Sequence, residues 1–141
     1  MSRIYVIGSL RQPTPAATAA RLRAVGHYVF DDWLAAGPEA DDKWREYEMA
    51  RGRSYIEALQ GHAATHVFNH DKKHLDDAEI AVLALPAGKS GHLELGYMIG
   101  QGKKAYILLD GEYDRWDVMY RFATGVCANI DELIEAIGVA T

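Results

Sequence analysis

The sequence predicts a single α/β domain, doubly wound around a mostly parallel sheet, and three observations carry that prediction. Short apolar runs of strand character alternate with segments of helical periodicity, the pattern that βαβ units leave in a sequence. The run Glu79 to Leu85 (E-I-A-V-L-A-L) is apolar almost throughout, as a strand covered on both faces must be. The chain has 141 residues and shows no internal repeat, low-complexity segment or interdomain linker, which fits one domain with one core.

Each element follows from a local signal. Arg3-Ile4-Tyr5-Val6-Ile7-Gly8 is a short apolar run ended by glycine and reads as a buried strand. Thr14 to Val25 has alanine-rich helical periodicity that stops at Gly26. His27 to Phe30 reads as a second strand, and Asp31 to Asp42, with Gly37-Pro38 and acidic residues, as a loop. Asp42 to Gln60 reads as one long polar helix and Asp71 to Asp77 as a short one. Glu79 to Leu85 is the central strand, Pro86 to Gly91 a loop, and His92 to Gly100 a helix ended by Gly100 and Gly102. Lys104 to Leu109 is a further strand, and Ile130 to Ile137 a closing helix capped by Asn129. The sum is a three-layer sandwich of flavodoxin/Rossmann-like type. In such sheets ligands lie beyond the carboxyl ends of the strands, so the loops from Gly8, near Asp31 and from Pro86 are the ones to watch.

Composition narrows the function classes. Apolar residues make up 49% and charged residues 25%, the balance of a soluble globular protein. No stretch approaches the roughly 18 apolar residues of a membrane span. Met1 to Gly8 runs straight into a strand, without the apolar region and cleavage site of a signal peptide. One cysteine, Cys127, forms no internal disulfide, and a reducing, cytoplasmic location is the expectation. The net charge of −5 argues against polymeric nucleic acid as the main partner, though not against a single nucleotide.

Three places carry chemistry. At the end of the first strand, Gly8-Ser9-Leu10-Arg11 offers close backbone approach, a hydroxyl and a forked cation for an anion; it reads equally as a plain turn with a solvated arginine, and the glycines and lysine of a P-loop are absent. In Ser90-Gly91-His92-Leu93-Glu94-Leu95-Gly96-Tyr97, Glu94 is the only acid between His92 and Gln101. A lone carboxylate in an apolar helix needs a cleft, a partner or a raised pKa, which are the conditions of catalytic carboxylates; a first-turn acid favouring the helix dipole is the alternative. Asp71 reads either as an N-cap or as a cleft residue. His62, His66, His70 and His74 recur every four residues, which on one continuous helix suits a metal ion; Val67-Phe68-Asn69 is expected to break that helix, and no metal is assigned. Trp33, Trp44 and Tyr47 either line a base pocket or pack the core.

Taken in order, I-Y-V-I-G-S-L-R, Asp71 eight residues before Glu79, and S-G-H-L-E-L-G-Y followed by G-K-K resemble the nucleoside 2-deoxyribosyltransferase superfamily. The resemblance is nearest to the 2'-deoxynucleoside 5'-phosphate N-hydrolases and CMP hydrolases. It implies cleavage of an N-glycosidic bond, with Glu94 as nucleophile, Asp71 as acid or proton shuttle and Tyr5 orienting nucleophile or sugar. It also implies that Gly8, Ser9 and Arg11 line the substrate loop and that Ser90 and Gly91 hold the sugar or 5'-phosphate. Arg11 is followed by Gln12-Pro13 rather than the glycines of the phosphate hydrolases. The resemblance calls for no metal or organic cofactor, and it implies a homodimer or larger homo-oligomer acting on a small nucleoside or nucleotide. The expected reaction is hydrolysis, with a narrow preference for a 5'-monophosphate; base exchange through the same covalent sugar intermediate and a non-catalytic nucleotide sensor are the alternatives.

Overall fold

The computed structural model describes residues 1–111 and 116–140. Five parallel strands, β1 (Arg3–Ile7), β2 (Tyr28–Phe30), β3 (Ile80–Ala84), β4 (Lys104–Leu108) and β5 (Gly125–Cys127), form one sheet in the order β2-β1-β3-β4-β5. Register is set by pairs such as Tyr5 with Phe30 and Ile7 with Leu83. β3 sits at the centre and all five of its residues are buried, as its unbroken apolar run demands.

Side chains alternate along each strand and so feed two cores. Ile4, Val6, Val82 and Leu108 pack with Leu22 of α1 (Thr14–Ala24) and Leu133 of α6 (Ile130–Ile137) on one face. Tyr5, Ile7, Leu83 and Ile107 pack on the other face with Leu75 of α4 (His62–Asp77) and with Leu95 and Met98 of α5 (Lys89–Gly100). Helices therefore cover both faces, and the expected doubly wound fold is present. Strand order reverses between β1 and β3, which opens a crevice at their carboxyl ends. No helix among the described residues is long and apolar enough to cross a membrane.

Several expected boundaries differ. The segment read as one helix from Asp42 to Gln60 is two, α2 (Ala40–Ala50) and α3 (Tyr55–Leu59). Gly52 turns into the left-handed region (φ 71°), and Ser54 starts a new helix through a capping box with Glu57. The loop expected from Asp31 to Asp42 contains a short 3-10 turn (Asp32–Ala36), and α2 begins inside it; Asp41 and Asp42 belong to the first turn of α2, where acids are favoured.

The helix expected at Asp71 begins nine residues earlier, at His62. Val67-Phe68-Asn69 does not break it, since β-branched, aromatic and amide side chains cost only about 0.7 kcal/mol or less each in a helix. Asp71 is consequently mid-helix and not an N-cap. α5 likewise starts at Lys89, so Ser90 and Gly91 lie in its first turn and not in a loop. The three-residue strand β5 and the 3-10 turn Val118–Phe122 were too short to leave a periodic signal. α6 has the expected bounds, and its Asn129 cap accepts from the Glu132 N–H at 2.9 Å.

Candidate active site

The site is built from one strand and two helices on the same face of the sheet. Tyr5 of β1 is 1% exposed and points into the core shared with α4 and α5. Along α5, Gly91, Leu95 and Met98 are buried and Glu94 is half-buried, so the glutamate occupies the i+3 place of an inward-facing i, i+4, i+7 stripe. Asp71 stands one turn before the buried Leu75 on α4, with its side chain 30% exposed. The fold thus brings Tyr5, Asp71 and Glu94, 66 and 23 residues apart in sequence, into one electrostatic cluster.

Their interactions are mutual. Burial pushes the Glu94 carboxyl up to about 7, the negative charge of Asp71 adds to the rise, and a hydrogen bond from the Tyr5 hydroxyl opposes it. Burial holds Tyr5 far above the usual phenol value, reinforced by the charges of Glu94 and Asp71. Tyr5 therefore stays a neutral phenol that donates to Glu94. Glu94 itself is poised to exist in both protonation states near neutral pH, unlike an ordinary exposed glutamate. The floor beside the cluster is aromatic: Phe30 lies between Tyr5 (centroids 5.1 Å apart) and a stacked His74 (4.0 Å).

Two glycines let the elements meet closely. A Cβ on Gly91 would come within 3.1 Å of Leu83 Cδ1 and 3.2 Å of Ile7 Cγ2, so this residue allows the first turn of α5 to lie against the ends of β1 and β3. A Cβ on Gly8 would run into Pro15 Cγ and approach the Ala84 carbonyl to 3.2 Å. The beginning of α5 carries amide N–H groups with no partner inside the helix, an arrangement that receives polar or anionic groups. Ser90 is exposed there.

The remaining expected residues have defined partners. Ser9 Oγ accepts from the backbone N–H of Arg11 at 3.2 Å. The Arg11 guanidinium donates to Asp42 Oδ2 at 2.7 Å and through Nε to the Pro38 carbonyl at 3.1 Å, and its side chain stays 61% exposed. Trp33 donates its indole N–H to the Val6 carbonyl at 2.8 Å, pinning the segment after β2 to the end of β1. Trp44 packs edge-on to Tyr55, and the exposed Tyr47 ring lies under Arg51. The four histidines do share one helix, contrary to the expected break, yet no group of three or more metal-ligating side chains that could hold an ion is found among the described residues.

Sequence reading passed over His92 as a functional neighbour. Its Nδ1 lies 2.7 Å from the Gly88 carbonyl and so carries the proton, leaving Nε2 to accept from the Tyr120 hydroxyl at 2.9 Å. That pairing joins the start of α5 to the 3-10 turn before β5. No sequence signal marks it, because the two residues are 28 apart and the turn is short. A cavity of about 390 Å³ lies elsewhere, between α1 and the start of α6. Chemistry, and not volume, singles out the Glu94 cluster.

No family model and no curated protein matches the chain by sequence. Solved structures do match by fold. A 2-deoxyribosyltransferase from the psychrotolerant bacterium Bacillus psychrosaccharolyticus superposes with a TM-score of 0.60 at 18% identity, over 94% of this chain and 90% of that one. The CMP N-glycosidase BcmB of Clostridium botulinum superposes with a TM-score of 0.56 at 12% identity, over 96% and 97% of the two chains. The chain shares the flavodoxin/Rossmann-like α/β fold of these two proteins.

Proposed function

We propose that the chain is a nucleoside-processing enzyme of the nucleoside 2-deoxyribosyltransferase superfamily, transferring a deoxyribosyl group between bases through Glu94. The observation that carries this reading is the cluster itself: a half-buried carboxyl raised to about 7, beside a neutral phenol and a second carboxyl, at the crevice of the sheet. In the first step a Glu94 carboxylate oxygen bonds to the anomeric carbon. The carbon–nitrogen bond to the base breaks, and its electron pair leaves on the base nitrogen. Asp71 carries the proton to that nitrogen, the division of labour of retaining glycosidases. Tyr5 holds the nucleophile in place by donating to it. Ser9, Ser90, and the close approaches allowed at Gly8 and Gly91 line the sugar. In the second step another base gives its N–H proton to Asp71 as its nitrogen attacks the anomeric carbon, and the bond from that carbon to Glu94 breaks to release the carboxylate.

Two observations favour base exchange on a nucleoside over hydrolysis of a monophosphate. The Arg11 fork expected to hold a phosphate is balanced by Asp42, and the deoxyribosyltransferase gives the higher TM-score of the two solved structures. Hydrolysis is the second reading, supported by the superposition with the CMP N-glycosidase over nearly the whole of both chains. Water then takes the place of the second base. We further propose a homo-oligomer, because Ile56 of α3 and Val67 and Phe68 of α4 leave large apolar side chains exposed.

The test is incubation with deoxynucleosides and their 5'-monophosphates, with and without a second free base, followed by chromatography. A new nucleoside formed only with the second base supports transfer. Free sugar in both conditions supports hydrolysis. Binding without either product leaves the sensor reading and removes the enzymatic one.

A further inference from the structure

We infer that Asp42 is a specificity-determining residue that sets the enzyme against a 5'-phosphate by holding the Arg11 guanidinium at the rim of the cleft. The inference rests on the functional reading above only for the identity of the ligand; the geometry stands by itself. Arg11 lies four residues beyond the end of β1, on the loop that opens at the β1–β3 crevice. Its Nε and Nη2 donate to one segment, to the Pro38 carbonyl at 3.1 Å and to Asp42 Oδ2 at 2.7 Å.

That segment has reason to be there. Trp33 ties the 3-10 turn after β2 to the Val6 carbonyl near the end of β1. Gly37, at φ 86°, then turns the chain so that α2 begins beside the Arg11 loop. The first residues of α2 and its flank are acidic, with Glu39, Asp41 and Asp42 all exposed. A phosphate approaching Arg11 therefore meets a guanidinium whose charge is already balanced, with two further carboxylates nearby. An uncharged 5'-hydroxyl meets no such repulsion. Like charges brought together at a binding site act against the wrong ligand.

The Arg11–Asp42 pair is exposed on both sides, 61% for each side chain, and pairs of that kind contribute little to stability. Removing it should leave the fold in place while freeing a forked cation suited to phosphate.

The experiment measures equilibrium binding by calorimetry, together with kcat/KM, for each of the four common deoxynucleosides and its 5'-monophosphate. Wild type, Asp42→Asn and the double variant Arg11→Ala/Asp42→Asn are compared, with thermal melts to verify folding. We expect the wild type to bind the nucleoside at least as well as the monophosphate. Asp42→Asn should raise the monophosphate-to-nucleoside affinity ratio by about ten-fold or more, the scale of one hydrogen bond to a charged group. Removal of Arg11 in the double variant should cancel that gain. An unchanged ratio in Asp42→Asn, a gain that survives loss of Arg11, or a wild type that already prefers the monophosphate would overturn the inference. If no form turns over any substrate yet Asp42→Asn gains phosphate-dependent binding, the assigned reaction falls and the role of Asp42 stands.

Discussion

The Tyr5 hydroxyl donates to the Glu94 carboxyl across the join between β1 and α5, and each group shifts the other's ionisation. The donor favours the carboxylate form of Glu94, whereas burial and the Asp71 charge favour the acid form. Three groups thus set one titration, and each can be removed separately.

The first prediction concerns pH and rate. A nucleophile works as its anion, so the acid limb of kcat/KM should rise with pH through a value near 7. Tyr5→Phe removes the hydrogen bond that lowers the Glu94 value and should move the profile to higher pH. Asp71→Asn removes a charge that raises it and should move the profile to lower pH. Glu94→Gln should lose several orders of magnitude of turnover at every pH. Rate profiles of the four proteins with one good substrate decide this, and shifts in the same direction for both neighbours would dismantle the assigned cluster.

The second concerns stability, where the same carboxyl is a liability. Its folded-state value of about 7 lies above the ordinary 4.5, so between those values the folded state binds more protons than the unfolded one. Stability is then fully present at low pH and falls as pH rises through about 7. The loss amounts to about 1–3 kcal/mol once partial exposure is discounted. Glu94→Gln carries no such penalty. Its melting temperature should exceed that of the wild type at pH 8 and converge with it at pH 5, as calorimetry in both buffers would record. A gap independent of pH would mean that Glu94 is solvated like a surface residue.

How much of this was legible in the sequence depended on the length scale of the signal. β3, α1 and α6 could be read because each announces itself locally: an unbroken apolar run, alanine periodicity ending at Gly26, and an Asn129 cap. Glu94 could be singled out because it is the lone acid in an apolar helix. The Gly52 break and the full length of α4 were missed, because a glycine between polar helical residues and a Val-Phe-Asn run are both locally ambiguous. Propensities there are a few tenths of a kcal/mol per residue and packing decides the outcome. The Arg11–Asp42 pair spans 31 residues and the His92–Tyr120 pair spans 28. Contacts of that kind exist only once the strands have set which loops meet.

The third prediction uses glycines of opposite demand. Gly8→Ala would force a methyl group into the Pro15 ring and the Ala84 carbonyl, and overpacking against backbone costs about 1–3 kcal/mol. Gly96→Ala, in the middle of α5 with nothing within 4 Å of its Cβ position, should instead gain about 1 kcal/mol of helix propensity. Urea midpoints shifting down for the first variant and up for the second, with unchanged m-values, is the expected result. Equal shifts would mean that the close β1–α1 turn at Gly8 is not a tight contact in solution.

The last prediction concerns assembly. α3 and α4 present Ile56 at 74% exposure and Phe68 at 63%, and Phe68 is one turn from Asp71 on the same helix. Large apolar side chains grouped beside a reactive cluster mark an interaction surface more often than scattered ones do. A second copy covering them would remove water from the Asp71 side of the cluster, which strengthens the charge interactions there. Ile56→Glu/Phe68→Glu places two carboxylates on that surface while touching no buried side chain, so the monomer fold should survive, with an unchanged far-ultraviolet circular dichroism spectrum. Sedimentation equilibrium should find the wild type at a multiple of the chain mass and the double variant at the chain mass itself. Turnover should fall with assembly, because the Asp71 side of the cluster is then left to solvent. A wild type that sediments as a monomer at micromolar concentration, or a double variant that keeps the wild-type mass, would show that this surface is not where copies of the chain meet.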